Sequence, residues 1–315
     1  MKLFVKKVIL FSLFAFTLLF GLDAFLKYNQ ENLQLSPNIK LKETFRNQSI
    51  DADIMIYGSS VAEGALNPLI FEEELVNYSV YNSALSGRRI QDWISIYYEQ
   101  NSYTKKRKII ILDIFPNSFN WIENLYHIHD FYPYLSNENV KKTLSNIDKK
   151  YEKLSTVPLY NLAFLNATYL INSYGSVKNK ILNTPDIYND EFKGHQRVDT
   201  ANFSVNNDGF IPIKVSPKSI KLYEEIFTTS NCEIIIVGMP VVTEGKTIYK
   251  KIKNVYGMPD NWAKQHNNVH YINFLDSTRF CNNKSLFANY THLNSKGADL
   301  LSKEIALFIK TLNIE

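Results

Sequence analysis

Lys108 to Ile114 is a nearly unbroken run of isoleucine and leucine, and it limits the fold more than any other stretch. A strand with one wet face alternates apolar and polar residues. A run that is apolar almost throughout is buried on both faces, as in a parallel sheet covered by helices. Ile54 to Tyr57 and Glu233 to Gly238 repeat the pattern, and Val80 to Asn82 and His270 to Phe274 are two further strand candidates. The strong runs stop abruptly, at Gly58-Ser59-Ser60, Phe115-Pro116-Asn117 and Met239-Pro240. Helical spacing follows at Ile90 to Gln100 (Ile90, Trp93, Ile94, Tyr97), and Ser219 to Thr228 also reads as a helix. A last helix, Lys296 to Leu312, carries the stripe Ala298, Leu301, Ile305 and Ile309, with Ser295 as its expected cap. The alternation predicts an α/β domain: a parallel sheet with Ile54–Tyr57 as a central strand and helices on both faces.

Between Ser118 and Lys214 the pattern lapses. Tyr, Asn and Lys are abundant, Asn139 to Leu154 reads as helical, and Asn206-Asn-Asp-Gly209 reads as a turn. The stretch is expected to be a mainly helical insertion on one edge of the sheet, a lid or a substrate surface. His127, His129 and Asp130 lie in it, but His-x-His-Asp lacks further ligands at a diagnostic spacing. It reads as a surface loop, and no metal is expected.

At the amino terminus Lys2, Lys6 and Lys7 flank an apolar run from Val8 to Leu22, extended by Phe25-Leu26. Counted through Leu26, the run approaches the roughly 20 residues a bilayer requires. A basic start before such a run is a secretory signal or an uncleaved anchor. No clear Ala-x-Ala site follows, so residues 1–28 are read as an anchor, with the lysines cytoplasmic and everything after Lys27 outside. Residues 29–50 read as a polar linker, and 51–315 as one domain with 118–214 inserted. The 315 residues, 45% hydrophobic and 21% charged, suit a globular chain, and a net charge of +4 is too small to argue for nucleic acid. Cys232 and Cys281 either pair outside the cytoplasm or are two buried free thiols.

A strand that ends at Gly-x-Ser places the serine at the carboxyl edge of a sheet, where ligands of open α/β sheets bind. Ser60 is therefore either a nucleophile or an ordinary helix cap. Just before the last helix lies Asn289-Tyr-Thr-His292-Leu-Asn294. A histidine in that loop falls on the same edge of the sheet as Ser60.

Those blocks resemble the SGNH (GDSL-like) hydrolase superfamily over Asp53 to Asn117 and Cys232 to Phe308. Gly58-Ser59-Ser60 stands for the family's Gly-Asp-Ser, a variant similar to extracytoplasmic members that act on cell-envelope polymers, as in teichoic-acid D-alanylation and alginate acetylation. Gly87, in Asn82-Ser-Ala-Leu-Ser-Gly87, resembles the oxyanion-hole glycine, and Asn117 stands near the family's third-block asparagine, without its Gly-x-Asn-Asp context. Asn289-Tyr-Thr-His292-Leu-Asn294 matches Asp-x-x-His-Leu-Asn except that asparagine replaces aspartate. The resemblance implies a three-layer, flavodoxin-like fold and no cofactor. It implies ester hydrolysis or acyl transfer on an envelope polysaccharide or related polymer, beside a membrane acyl-transfer partner.

By this resemblance Ser60 Oγ attacks an ester carbonyl while His292 takes its proton. The N–H groups of Ser60 and Gly87 hold the oxyanion. Asn289 can hydrogen-bond the imidazole but carries no charge, and it can favour the wrong tautomer; a chymotrypsin-type triad loses about 10⁴ in rate on that exchange. Three readings follow: a slow Ser–His dyad, a substitute carboxylate from Asp276 or Asp113, or a fold kept only for binding and assembly. Arg88 and Arg89, after the glycine, suit an anionic polymer or form a solvated basic turn.

Overall fold

The computed structural model describes residues 1–33, 35–122, 127–155, 190–199, 201, 203, 211–250 and 252–314. The chain divides into two compact units, Met1–Asn47 with Glu123–Tyr188, and Gln48–Ile122 with Asn189–Glu315.

The second unit holds the sheet. Its strands are β1 (Ile54–Tyr57), β2 (Val80–Asn82), β3 (Ile109–Ile114), β4 (Glu233–Gly238) and β5 (Val269–Asn273). They are ordered β2-β1-β3-β4-β5, and every neighbouring pair is parallel. This is the flavodoxin-like order, whose switch point lies between β1 and β3. β1 is interior, as expected, although the middle strand is β3.

Register explains why the runs are apolar throughout. Ile56 pairs with Ile111, and Ile111 with Ile235. These residues, with Ile54, Ile109 and Val237, pack into one core with Leu301, Ile305 and Ile309 of the helix Ser295–Thr311. The alternate residues face the other way. There Tyr57 stacks on Trp93 at 6.1 Å between ring centroids and meets Tyr97 edge-on at 5.7 Å. Trp93 in turn meets Tyr223 of the helix Pro217–Thr229, which stacks on Trp262 of the helix Ile252–Gln265. Helices therefore cover both faces, and each fully buried isoleucine contributes roughly 1.5–3 kcal/mol.

Two local expectations change. The last helix begins at Ser295 and is capped by Asn294, whose side chain accepts from Gly297 N at 3.1 Å. Ser295 is otherwise engaged: its hydroxyl bonds the Asp199 carboxylate and accepts from Arg197 Nε at 3.3 Å. The region expected as a single insertion is divided, since 118–122 and 189–214 belong with the sheet unit. Ile211–Pro212 forms a two-residue parallel ladder with Tyr249–Lys250. The turn expected at 206–209 lies outside the described residues. Cys232 and Cys281 are buried free thiols; the Cys281 Sγ donates to Leu275 O at 2.9 Å.

The first unit is built on the helix Lys2–Glu31, long and apolar enough to cross a membrane. Its side chains are largely exposed to Leu22, whereas Asp23, Leu26, Asn29 and Gln30 are buried. Asp23 bonds the Tyr132 hydroxyl and pairs with Lys27 at 2.9 Å. Gln30 Nε2 donates to Asp130 Oδ1 at 2.9 Å. The expected linker is mostly helix: Ser36–Lys42, then a π-helical turn Glu43–Asn47. Its polar composition misleads because much of what it buries is polar, namely Asn38, Lys40 and Thr44 beside Leu41. Phe45 packs on Tyr134 at 5.3 Å. The segment expected around 139–154 is the amphipathic helix Glu138–Ile147 followed by a 3₁₀ turn, Lys149–Ser155.

Candidate active site

β1 ends at Tyr57, and the chain turns at Gly58 and Ser59 into the short helix Ser60–Ala65. Ser59, not Ser60, is the cap: its side chain accepts from Val61 N at 3.1 Å. Ser60 is thereby left half-buried with its hydroxyl free to face the sheet edge. There Ser60 Oγ lies 2.8 Å from His292 Nε2, across 232 residues of sequence.

The histidine is set by its own loop. Phe287 and Leu293 form an antiparallel bridge, and Ala288 N donates to His292 O at 2.8 Å. Asn289 Oδ1 accepts from Thr291 N at 3.0 Å and from His292 N at 2.9 Å. It also lies 3.0 Å from His292 Nδ1. Two main-chain N–H donors can be met only by the carbonyl oxygen of the amide, so its NH2 group is turned away from the ring. An oxygen facing Nδ1 calls for a proton on that nitrogen and leaves the Nε2 lone pair toward Ser60. The asparagine is thus held in the orientation that favours the Nδ1-protonated tautomer. Thr291 Oγ1 lies 3.2 Å from the same Nδ1. Burial lowers the His292 pKa below 6.5, keeping the ring neutral near pH 7.

The turn carrying Ser60 is fixed from below by Asp113 on β3. Ser59 Oγ donates to Asp113 Oδ2 at 2.7 Å, and Ser59 N approaches both carboxylate oxygens at 3.4 Å. Asp113 is fully buried, and that burial pushes its carboxyl up to about 6, against the hydrogen bonds from Ser59 and Ala62. A Cβ on Gly58 would lie 2.6 Å from the Asp113 Cγ, so no larger residue fits there. Among the described residues, neither Asp113 nor Asp276, the two carboxylates expected as alternatives to Asn289, contacts the imidazole. Asp113 serves Ser59, and Asp276 pairs with Lys246 at 3.1 Å.

Gly87 is exposed, at φ +71°, in the loop after β2, and Asn117 lies in the turn after β3. Since β2 and β3 flank β1, both share the carboxyl edge with Ser60. Among the described residues, the main-chain N–H groups of Ser60 and Gly87 meet no acceptor. Asn117 Oδ1 accepts from Asn120 Nδ2 at 3.2 Å. Arg88 is 2% exposed, which corrects the solvated-turn reading; burial raises the Asp92 carboxyl, and the nearby Arg88 guanidinium only partly offsets that rise. Arg89 is half-buried and begins a helix, its N–H donating to Asp92 Oδ2 at 2.9 Å.

His127, His129 and Asp130 lie in the other unit, their ligand atoms within 4.8 Å of one another. The expected surface loop is a 3₁₀ turn, Ile128–Tyr134, in which His129 and Asp130 are buried because Asp130 accepts from Gln30 and lies 3.3 Å from His129 Nε2. Sequence reasoning missed Thr291 and Glu63 beside the site. A lone charge in the β3 run was the only signal available for Asp113, and Glu63 had none.

No family model matches this chain, and no curated protein matches it. Among solved structures, the chain is similar to a Streptococcus pneumonia protein provisionally assigned as a platelet activating factor. Identity is 13% and the TM-score 0.43, over 91% of this chain and 96% of that one. The fold assignment rests on the strand order described above.

Proposed function

We propose that this chain is a membrane-anchored, outward-facing SGNH-like ester hydrolase or O-acyltransferase, acting on an envelope polysaccharide or related acylated polymer. The observation that carries the reading is the 2.8 Å approach of Ser60 Oγ to a neutral, tautomer-selected His292 Nε2. Ser60 Oγ adds to an acyl carbonyl as its proton passes to Nε2. The oxyanion is received by the unused N–H groups of Ser60 and Gly87, with Asn117 a third donor at the same edge. Collapse expels the sugar alkoxide, which takes the proton from the imidazolium and leaves an acyl-serine. Water or a second hydroxyl then reverses the sequence. The helix Lys2–Glu31 supplies the single membrane pass, its amino-terminal lysines on the cytoplasmic side.

The uncharged Asn289 supports a second reading, a fold retained for binding or assembly in envelope polymer biosynthesis. One experiment separates them. The detergent-solubilised chain is treated with a fluorophosphonate, which labels only an activated serine. The acyl-transfer reading expects stoichiometric labelling of Ser60, abolished in Ser60→Ala and strongly slowed in His292→Ala. An unlabelled parent chain overturns it in favour of binding.

A further inference from the structure

The loop carrying Gly87 is tied to β1 by its backbone only as far as Leu85. Ser83 N donates to Ile56 O at 2.8 Å, and Leu85 N to Gly58 O at 3.1 Å. Beyond that, the chain must turn through Gly87 at positive φ before Arg88 N returns to Leu85 O at 3.3 Å. What holds the intervening residue is a side chain from the serine's own helix. Glu63 stands three residues after Ser60 in the helix Ser60–Ala65, and is 1% exposed. Its Oε2 accepts from Ser86 N at 2.9 Å and from the Ser86 hydroxyl. Its own carbonyl accepts from Gln196 N at 3.0 Å and lies 2.9 Å from His195 Nδ1, which fixes the residue from behind.

We infer that Glu63 is a positioning residue: it clamps Ser86 to the helix that begins at Ser60, and so sets where the adjacent Gly87 N–H points relative to Ser60 Oγ. The inference rests on the acyl-transfer reading above. Residues three apart on a helix share a face, so serine and clamp move as one body. The two oxyanion donors then keep a fixed separation without either contacting Glu63. The two Ser86 bonds require reach and an acceptor oxygen. Gln at 63 keeps both, whereas Ala keeps neither.

The test uses the full chain in detergent, with hydrogen exchange over residues 83–90 and p-nitrophenyl acetate turnover measured side by side. Glu63→Ala is expected to speed exchange in that segment at least tenfold. It should lower kcat on the order of 10- to 100-fold, less than or equal to the loss of one whole oxyanion donor, with KM within about twofold. Glu63→Gln should restore both. If Glu63→Ala fails to fold, Ser86→Ala removes one of the two bonds from the other end and should move both readouts the same way by less. Unchanged exchange at 83–90 overturns the clamp, as does a loosened loop with kcat unmoved. A parent chain without Ser60-dependent turnover instead overturns the acyl-transfer reading, a result told apart from failure of the clamp because exchange alone reads the latter.

Discussion

Asp113→Asn should remove a pH-dependent stability loss that can be sized from the structure. Burial of Asp113 raises its carboxyl from 3.8 to about 6. The native state therefore keeps a proton that the unfolded chain releases between about pH 4 and pH 6. Where the native state binds more protons, stability falls as pH rises, so the loss accumulates through that window and is complete above about pH 6. At 1.36 kcal/mol per pH unit, it amounts to about 3 kcal/mol. The amide introduced at this position cannot titrate, yet its carbonyl can still accept from Ser59. The assay is urea unfolding of the detergent-solubilised chain at several pH values between 4 and 7, followed by tryptophan fluorescence. Trp93, Trp121 and Trp262 all lie in the sheet unit, so the signal reports that unit. Relative to the variant, the parent should lose about 3 kcal/mol across the range, a midpoint shift of about 1 M or more at ordinary urea slopes. Comparing parent with variant cancels the titration of His292, which both share. Parallel stability curves would refute the account of Asp113 as a buried carboxyl held near its protonated state.

Asn289→Asp should raise p-nitrophenyl acetate turnover by roughly 10- to 10³-fold, bounded by the cost of the reverse exchange in a serine triad. The new carboxylate keeps the Thr291 and His292 N–H bonds and adds a charge beside the imidazolium. The acid limb of the rate profile, set below pH 6.5 in the parent by burial of His292, should move to higher pH in the variant. No gain in rate would show that the neutral amide is not what limits the site. A carbonate wash of membranes should leave the chain in the pellet, and protease added outside intact spheroplasts should digest it; release by the wash, or full protection, would exclude the single outward pass.

The apolar runs were legible because burial on both faces leaves little else for such residues to do. Ser60 and His292 were legible for a different reason: strand ends and pre-helix loops of a parallel sheet converge on one edge, whatever the details of packing. The orientation of Asn289 was not. It depends on two main-chain N–H groups of a four-residue loop, and a residue letter says nothing about which end of an amide faces a ring. The clamp by Glu63 was hidden because a short helix and a loop meet there with no periodic pattern. The helical stretch after the apolar run was hidden because Asn38, Lys40 and Thr44 look solvated by composition and are buried.

Gly58 and Asp113 also share a single volume. A methyl at position 58 would collide with the carboxyl of 113 and approach the Ala62 Cβ at 2.9 Å, so alanine at 58 demands a smaller residue at 113. The two positions form one epistatic locus: alanine at 58 strains the parent, yet partly fills the space that truncation at 113 opens. Their combined effect is then smaller than the sum of the separate ones. Shrinking residue 113 relieves only part of the cost of alanine at 58, because the positive φ of that position and the Ala62 contact remain.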